Sequence, residues 1–184
     1  MNEYRLTVEE LPAKISVLRA GDRVCLSGEV YTARDAAHKR LQQLLQEGKP
    51  LPFPLNNAVI YYAGPTPSNG LRPVGACGPT TSSRMDPYTP LLLTHGVIAM
   101  IGKGERSEKV IEAIVKRGAV YFCAVGGAGA LASQRIIGCE VIAFEELGCE
   151  SVKRLRFEQF PLTVGIDSNG GCVFANTNIG GNDH

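Results

Sequence analysis

Between about residues 97 and 144 the chain alternates between two hydrophobic periods, and that alternation constrains its fold more than any other feature. Residues 97–101 form a short apolar run of strand length, which Gly102-Lys103-Gly104 breaks. Ser107 stands where a helix cap is expected, and residues 108–117 carry a helical period that Gly118 ends. Residues 119–125 again have strand character. Gly126-Gly127-Ala128-Gly129 then opens a small-residue helix, and residues 136–144 form the next strand. Strands and helices in this order build an α/β domain.

The flanks are richer in strand signals. Residues 24–31 are β-prone after a turn at Gly21-Asp22. Helical period takes over at Asp35, with Ala37, Leu41, Leu44 and Leu45 on one stripe and Gly48 at its end. A buried strand is expected over 58–63 and a short one near 74–77. Asp86 followed by Pro87 predicts a helix start, and that helix ends near His95-Gly96. Residues 152–157 and 162–167 read as two further strands, with Asn169-Gly170 as a hairpin-type turn. The tail from about Asn176 reads as frayed. With no internal repeat, the 184 residues are expected to form one domain over 1–184.

Apolar residues make up 44% of the chain and charged residues 20%, enough for a real core and against disorder. The formal net charge of +1 gives no electrostatic case for nucleic acid or an anionic membrane. No apolar run approaches the ~18 residues of a membrane span, and Met1-Asn2-Glu3-Tyr4-Arg5 lacks the apolar core of a signal peptide. The expected location is therefore the cytoplasm. The six cysteines, Cys25, Cys77, Cys123, Cys139, Cys149 and Cys172, include no CxxC pair. They suit buried, inert thiols better than disulfides, and their spacing departs from the clustered pattern of an iron–sulfur site.

Three segments share one form, in which a strand ends, polar or glycine-rich residues follow, and a helix begins. They are Thr32-Ala33-Arg34-Asp35, Gly78-Pro79-Thr80-Thr81-Ser82-Ser83-Arg84, and Gly102-Lys103-Gly104-Glu105-Arg106-Ser107. Backbone N–H groups at such junctions favour anions, and each segment adds a cation, Arg34, Arg84 or Lys103. Together they would suit a small dianion gripped by guanidinium groups. Taken singly, each also fits plain turn geometry and a solvated cation. The GxxxxGK[ST] spacing of a phosphate loop is absent, and Gly126-Gly127-Ala128-Gly129 does not match a dinucleotide fingerprint. The four consecutive hydroxyls of 80–83 make sense facing a polar ligand, the other reading being a solvated turn with a helix cap. His38 follows Arg34 by four residues and Asp35 by three, on one helical face. It is placed either to be oriented by Asp35 toward the helix start or to sit exposed on the helix surface. His95, beside Gly96, reads as a helix-ending cap.

These segments, in this order, resemble the β-subunit of class I fumarases and the related L-tartrate dehydratases. The resemblance rests on Tyr31-Thr32-Ala33-Arg34-Asp35-Ala36-Ala37-His38-Lys39, Tyr62-Ala63-Gly64-Pro65 and Gly78-Pro79-Thr80-Thr81-Ser82-Ser83-Arg84-Met85-Asp86. It continues through Gly102-Lys103-Gly104 and Glu146-Leu147-Gly148 to Asp167-Ser168-Asn169-Gly170, spanning a core of about 20–172. Gly126-Gly127-Ala128-Gly129 and Gly171 depart from the family's usual forms.

The resemblance implies a swivelling β/β/α domain and reversible hydration of fumarate to L-malate, with L-tartrate or mesaconate as alternative substrates. It further implies a partner α-subunit that binds a [4Fe–4S] cluster through its own cysteines, an α2β2 assembly, and activity only in that complex. Arg34, Thr80, Thr81, Arg84 and Lys103 would contact the substrate. Thr80 would transfer the proton, with a relay through Asp35 and His38 as one source of help. The partner's iron would act as Lewis acid, and this chain would supply no metal ligand. A non-catalytic dicarboxylate-binding or assembly domain is the reading from a different class.

Overall fold

The structure, a computed structural model, describes residues 1–124 and 132–175. The helix expected to open at Gly126 and the tail expected to fray from about Asn176 lie outside the described residues. The strands are β1 (Glu3–Thr7), β2 (Arg23–Thr32), β3 (Val59–Tyr61), β4 (Ala99–Gly102), β5 (Val120–Cys123), β6 (Ile136–Ala143) and β7 (Val152–Ile166). The α-helices are α1 (Leu11–Lys14), α2 (Asp35–Gln46), α3 (Thr89–Thr94) and α4 (Glu108–Arg117).

Strands β1 to β5 lie side by side in sequence order, each parallel to its neighbour. Parallel neighbours need crossover connections, which the helical segments supply. β7 pairs antiparallel with both β5 and β2, so β2, β3, β4, β5 and β7 close into a barrel-like ring, while β6 pairs with β7. The result is a mixed α/β domain.

The short parallel strands alternate between two cores, as the two-residue period of a strand requires. Val59, Tyr61, Ile101, Val120 and Phe122 share one cluster with residues of β1, α1, β2 and β7. Ile60, Met100 and Tyr121 face the other, where they meet Ala37 and Leu41 of α2, Leu92 and Leu93 of α3, and Val110 and Ile114 of α4. In the first cluster Phe157 stacks on Phe160 at 4.1 Å, and Tyr61 meets both edge-on. Burial on both faces explains why these strands read as continuous apolar runs.

Three local expectations change, and one strand is added. No strand forms at 74–77, because Pro73, Gly75 and Gly78 interrupt it. Gly75 instead packs against Thr66, whose Oγ1 accepts from the Ala76 N–H at 2.7 Å. No helix starts at Pro87. A 3-10 turn spans Ser82–Met85, and α3 begins at Thr89 with Pro90 in its first turn. The two strands expected after residue 152 are one 15-residue strand. Gln159 (φ 52) lies opposite a register shift at Leu26/Gly28, which bends β7 without ending it. β1 went unanticipated because its five residues alternate only weakly and a single one, Leu6, is buried. By contrast α2, α4 and the αL glycine at Gly118 (φ 62) lie where the periodicity predicts. Among the described residues no helix is long and apolar enough to cross a membrane.

Candidate active site

The parallel order of β2, β3 and β4 brings their carboxyl ends to one edge. That edge is where open parallel α/β sheets place ligands. Three connections leave from it. Ala33-Arg34 follows β2, Tyr62 to Pro65 follows β3, and Lys103 to Arg106 follows β4. The Thr80 loop lies among them. The Thr80 N–H donates to the Tyr62 carbonyl at 2.7 Å, and Pro79 bridges to Ala63. The Ser82 N–H donates to the Lys103 carbonyl at 3.0 Å, and Thr81 bridges to Lys103. Gly102 makes the last approach possible, since a Cβ there would run into Ser82 Oγ and lie 2.9 Å from the Tyr62 ring.

Arg84 is the hub of this edge. Its Nε donates to Asp35 Oδ1 at 3.0 Å, its Nη2 to Asp35 Oδ2, and its Nη1 to Thr80 Oγ1 at 3.3 Å. Burial works to raise the Asp35 pKa. Hydrogen bonds from Arg84 and its own backbone N–H, with the charges of Arg84 and Arg34, outweigh it and hold the carboxyl below its ordinary range. Arg34 is the N-cap residue of α2, half-buried beside Gly64. Its Nε lies 3.6 Å from Glu150 Oε1, too long for a hydrogen bond, and both atoms are buried without a hydrogen-bond partner. Arg34, Asp35, Thr80 and Arg84 thus converge, with Thr81 and Lys103 joined to them through the backbone. Thr81, Arg84 and Lys103 are exposed and Thr80 is half-buried.

His38 is not the exposed surface residue that one reading of its spacing allowed. It is fully buried, against Tyr62 and Tyr88, and its Nδ1 lies 2.8 Å from the Arg34 carbonyl rather than on the Asp35 carboxylate. Arg34 caps the helix in an extended conformation, so its side chain leaves the helical face that the four-residue spacing suggests. A carbonyl only accepts, so Nδ1 carries the proton, and Nε2 is buried without a partner. Burial pushes the His38 pKa down to about 4, helped by the nearby Arg106 charge and opposed by the Arg34 carbonyl and Asp35. The unfolded chain therefore takes up this proton near 6.5, well before the folded one. The contribution of neutral, buried His38 to stability is fully present above pH 6.5 and is lost as the pH falls toward 4, a loss of roughly 3 kcal/mol. Urea midpoints measured between pH 7.5 and pH 4.5 are expected to fall less steeply in His38→Leu than in the native chain. Identical slopes would remove His38 from the account.

Behind the exposed edge lies a buried polar cluster that sequence reasoning missed. Arg106, with no side-chain exposure, donates from Nε to Asp86 Oδ1 at 2.7 Å and from Nη2 to Thr89 Oγ1 at 2.7 Å and Tyr62 Oη at 3.3 Å. Its guanidinium carbon lies 5.2 Å from the Tyr62 ring centroid and 5.0 Å from that of Tyr121. Asp86 Oδ2 accepts from the Ser107 N–H at 2.7 Å, so the aspartate expected to cap a helix after itself serves the start of α4 instead. Glu150 also went unnoticed, because nothing local marks a carboxylate that approaches Arg34 across 116 residues. The Glu146-Leu147-Gly148 stretch is a 3-10 turn broken at Gly148. Lys153 holds it by donating to the Gly148 and Cys149 carbonyls, each at 3.2 Å. Asp167 accepts from the N–H groups of Ala20, Asn169 and Gly171, which makes that segment a structural turn.

The described cysteines are all free thiols. Cys77 is buried and Cys149 exposed. Among the described residues no three His, Cys, Asp or Glu side chains converge as a metal-ligand set. The donors present here do not fit an iron–sulfur cluster.

Comparison with known proteins identifies the family. The model of the family described as Fumarase C-terminus matches residues 1–177. The anaerobic class I fumarate hydratase of Escherichia coli K12 is 38% identical over 169 residues, covering 91% of this chain and 31% of that enzyme. The mitochondrial fumarate hydratase 1 of Leishmania major is 39% identical over 154 residues, covering 83% and 28%. A protein of Methanocaldococcus jannaschii, provisionally named L(+)-tartrate dehydratase subunit beta, is 35% identical over 170 residues, covering 89% and 87%. The chain thus spans about a third of the length of these fumarate hydratases but most of the tartrate dehydratase subunit. By its match across nearly every residue, this chain belongs to the Fumarase C-terminus family.

Proposed function

We propose that this chain is the carboxylate-clamping, proton-handling part of a hydro-lyase that reversibly hydrates fumarate to L-malate, acting with a partner α-subunit. The convergence of Arg34, Asp35, Thr80 and Arg84 at the carboxyl ends of parallel strands carries the reading. Arg34, ion-paired with Glu150 at 3.6 Å, adds a second guanidinium at that edge. The swivelling β/β/α assignment belongs to the same reading. Its support is the five-strand closure with α2, α3 and α4 packed together on one core.

In this reading Arg34, Arg84 and Lys103 bind the two carboxylates, with Thr81 beside them. Addition of water oxygen to one alkene carbon places the electron pair on the other, where it spreads into the adjacent carboxylate. Fixed cations facing that group favour the dianionic form that develops. Thr80 Oγ1 then delivers its proton to that carbon and is left as an alkoxide, which takes up the proton that water gives up as its oxygen adds; in the dehydration direction the alkoxide removes the C–H proton and passes it to the departing hydroxyl. A threonine hydroxyl is a poor base in water, and Arg84 Nη1 at 3.3 Å is the charge on hand to stabilise its alkoxide. Asp35 holds Arg84 in place, and His38 stays neutral behind the helix start. In this reading the [4Fe–4S] cluster would be held by the α-subunit and would supply Lewis acidity toward the hydroxyl oxygen.

L-Tartrate dehydration is the second reading, favoured by the 87% coverage of the tartrate dehydratase subunit. The test is an anaerobic assay of the chain mixed with its cluster-loaded partner, with fumarate, L-tartrate and mesaconate as parallel substrates. Turnover of fumarate alone is expected. Turnover of tartrate alone would move the substrate, and turnover of none in a well-formed complex would leave a dicarboxylate-binding or assembly domain.

A further inference from the structure

The Thr80 loop and the Lys103 turn come from different parts of the sequence, yet one buried pair touches both. Tyr121, on β5, bonds Ser82 Oγ at 2.9 Å and the Gly104 carbonyl at 2.9 Å. Its single proton must go to the carbonyl, which can only accept, so Ser82 donates to the phenol oxygen. Ser82 sits inside the hydroxyl run and Gly104 directly follows Lys103. Tyr121 stacks in turn on Arg106, whose Asp86 and Thr89 contacts lie just after Arg84. One cation and one phenol therefore span both substrate-facing segments from behind, and the Ser82 N–H to Lys103 carbonyl bond closes the circuit.

We propose that Arg106 and Tyr121 are positioning residues that fix the spacing between the Thr80–Arg84 loop and Lys103, and so set the span of dicarboxylate the site accepts. This rests on the hydro-lyase reading above for its kinetic consequence, but not for its structural one. Neither side chain touches substrate. Both act by holding Ser82, Gly104 and Asp86 at fixed separations.

The decisive variant is Tyr121→Phe, which keeps the ring over Arg106 and removes only the hydroxyl. In the full chain, amide hydrogen exchange at Ser82 is expected to accelerate at least tenfold, while β3 and β4 amides keep their native rates. In the reconstituted complex kcat/KM for the native substrate is expected to fall about tenfold to a hundredfold, the range for a reacting group displaced by an ångström. Tyr121→Phe with Ser82→Ala should cost no more than Tyr121→Phe alone, because the first change already removes the bond to Ser82 that the second would cut. Arg106→Lys, which keeps the charge but not the fork, should give a partial kinetic loss. Unchanged Ser82 exchange in Tyr121→Phe overturns the proposal, whatever the complex turns over. Accelerated exchange with unchanged kinetics overturns the positioning role. Accelerated exchange in Tyr121→Phe, together with a native complex that turns over none of the three substrates, upholds the link and sinks the hydro-lyase reading instead.

Discussion

Arg84→Ala is expected to lower kcat/KM of the reconstituted complex by roughly 10²–10³-fold, the loss seen when one donor to a developing charge is removed. Three effects add. Under the proposed function a cation of the carboxylate clamp disappears, Thr80 Oγ1 loses the donor at 3.3 Å, and Asp35 loses the partner that neutralises it. An unpaired Asp35 carboxylate at an anion site repels the ligand and regains a more ordinary pKa. The fold should tolerate the change, because the Arg84 side chain is about half exposed and an exposed ion pair contributes at most ~1 kcal/mol. Arg84→Lys should recover charge but not the fork, and so only part of the rate. The measurement is steady-state kinetics beside a urea melt of each variant. Native kinetics in Arg84→Ala would dismantle the clamp, and a large stability loss would mean Arg84 serves the fold.

Arg106→Met is expected to do the opposite, costing about 3–5 kcal/mol of stability as the penalty for breaking a buried ion pair. Arg106 has no side-chain exposure and Asp86 very little, so the Asp86 carboxyl group would be left with only the Ser107 N–H as partner. Thr89 Oγ1 and Tyr62 Oη would lose their donor as well. Against a domain stability of about 5–15 kcal/mol this is a large fraction, and the variant should express poorly or melt early. Burial works against the charge on Arg106, but Tyr62, Asp86 and Tyr121 more than offset it, and its pKa is raised. Equilibrium urea unfolding of Arg106→Met and of Arg106→Met with Asp86→Asn checks this. Removing the stranded carboxylate should return part of the loss. A cost under about 1 kcal/mol in the single variant would contradict the buried-pair account.

Different elements were legible for different physical reasons. α2 and α4 declare themselves because an amphipathic helix writes its burial into a 3.6-residue period, and Gly48 and Gly118 end them with positive φ. β3, β4 and β5 show as apolar runs because both their faces are covered. β1 has little such signal, since its place comes from pairing with β2. Asp86 misleads because the Asp-Pro pair is a local helix signal overridden by a contact 20 residues away, to Arg106.

The candidate site divides along the same line. Local chemistry marks Arg34, Arg84, Lys103 and the hydroxyl run of 80–83 as candidate anion contacts while leaving a solvated turn open, and the family resemblance assigns Arg34, Thr80, Thr81, Arg84 and Lys103 to the substrate. Their order along the chain carries the family resemblance, and with it the swivelling β/β/α and fumarate expectations, whereas the α/β class follows from the alternating periods. Only the tertiary structure tied Arg84 to Asp35, set Glu150 against Arg34, turned His38 inward and placed Arg106 and Tyr121 behind the loops. Those relations depend on the parallel order of β2 to β5 and on the closure by β7. Period and propensity report a residue's own burial, whereas the identity of its partner is decided by which strands become neighbours.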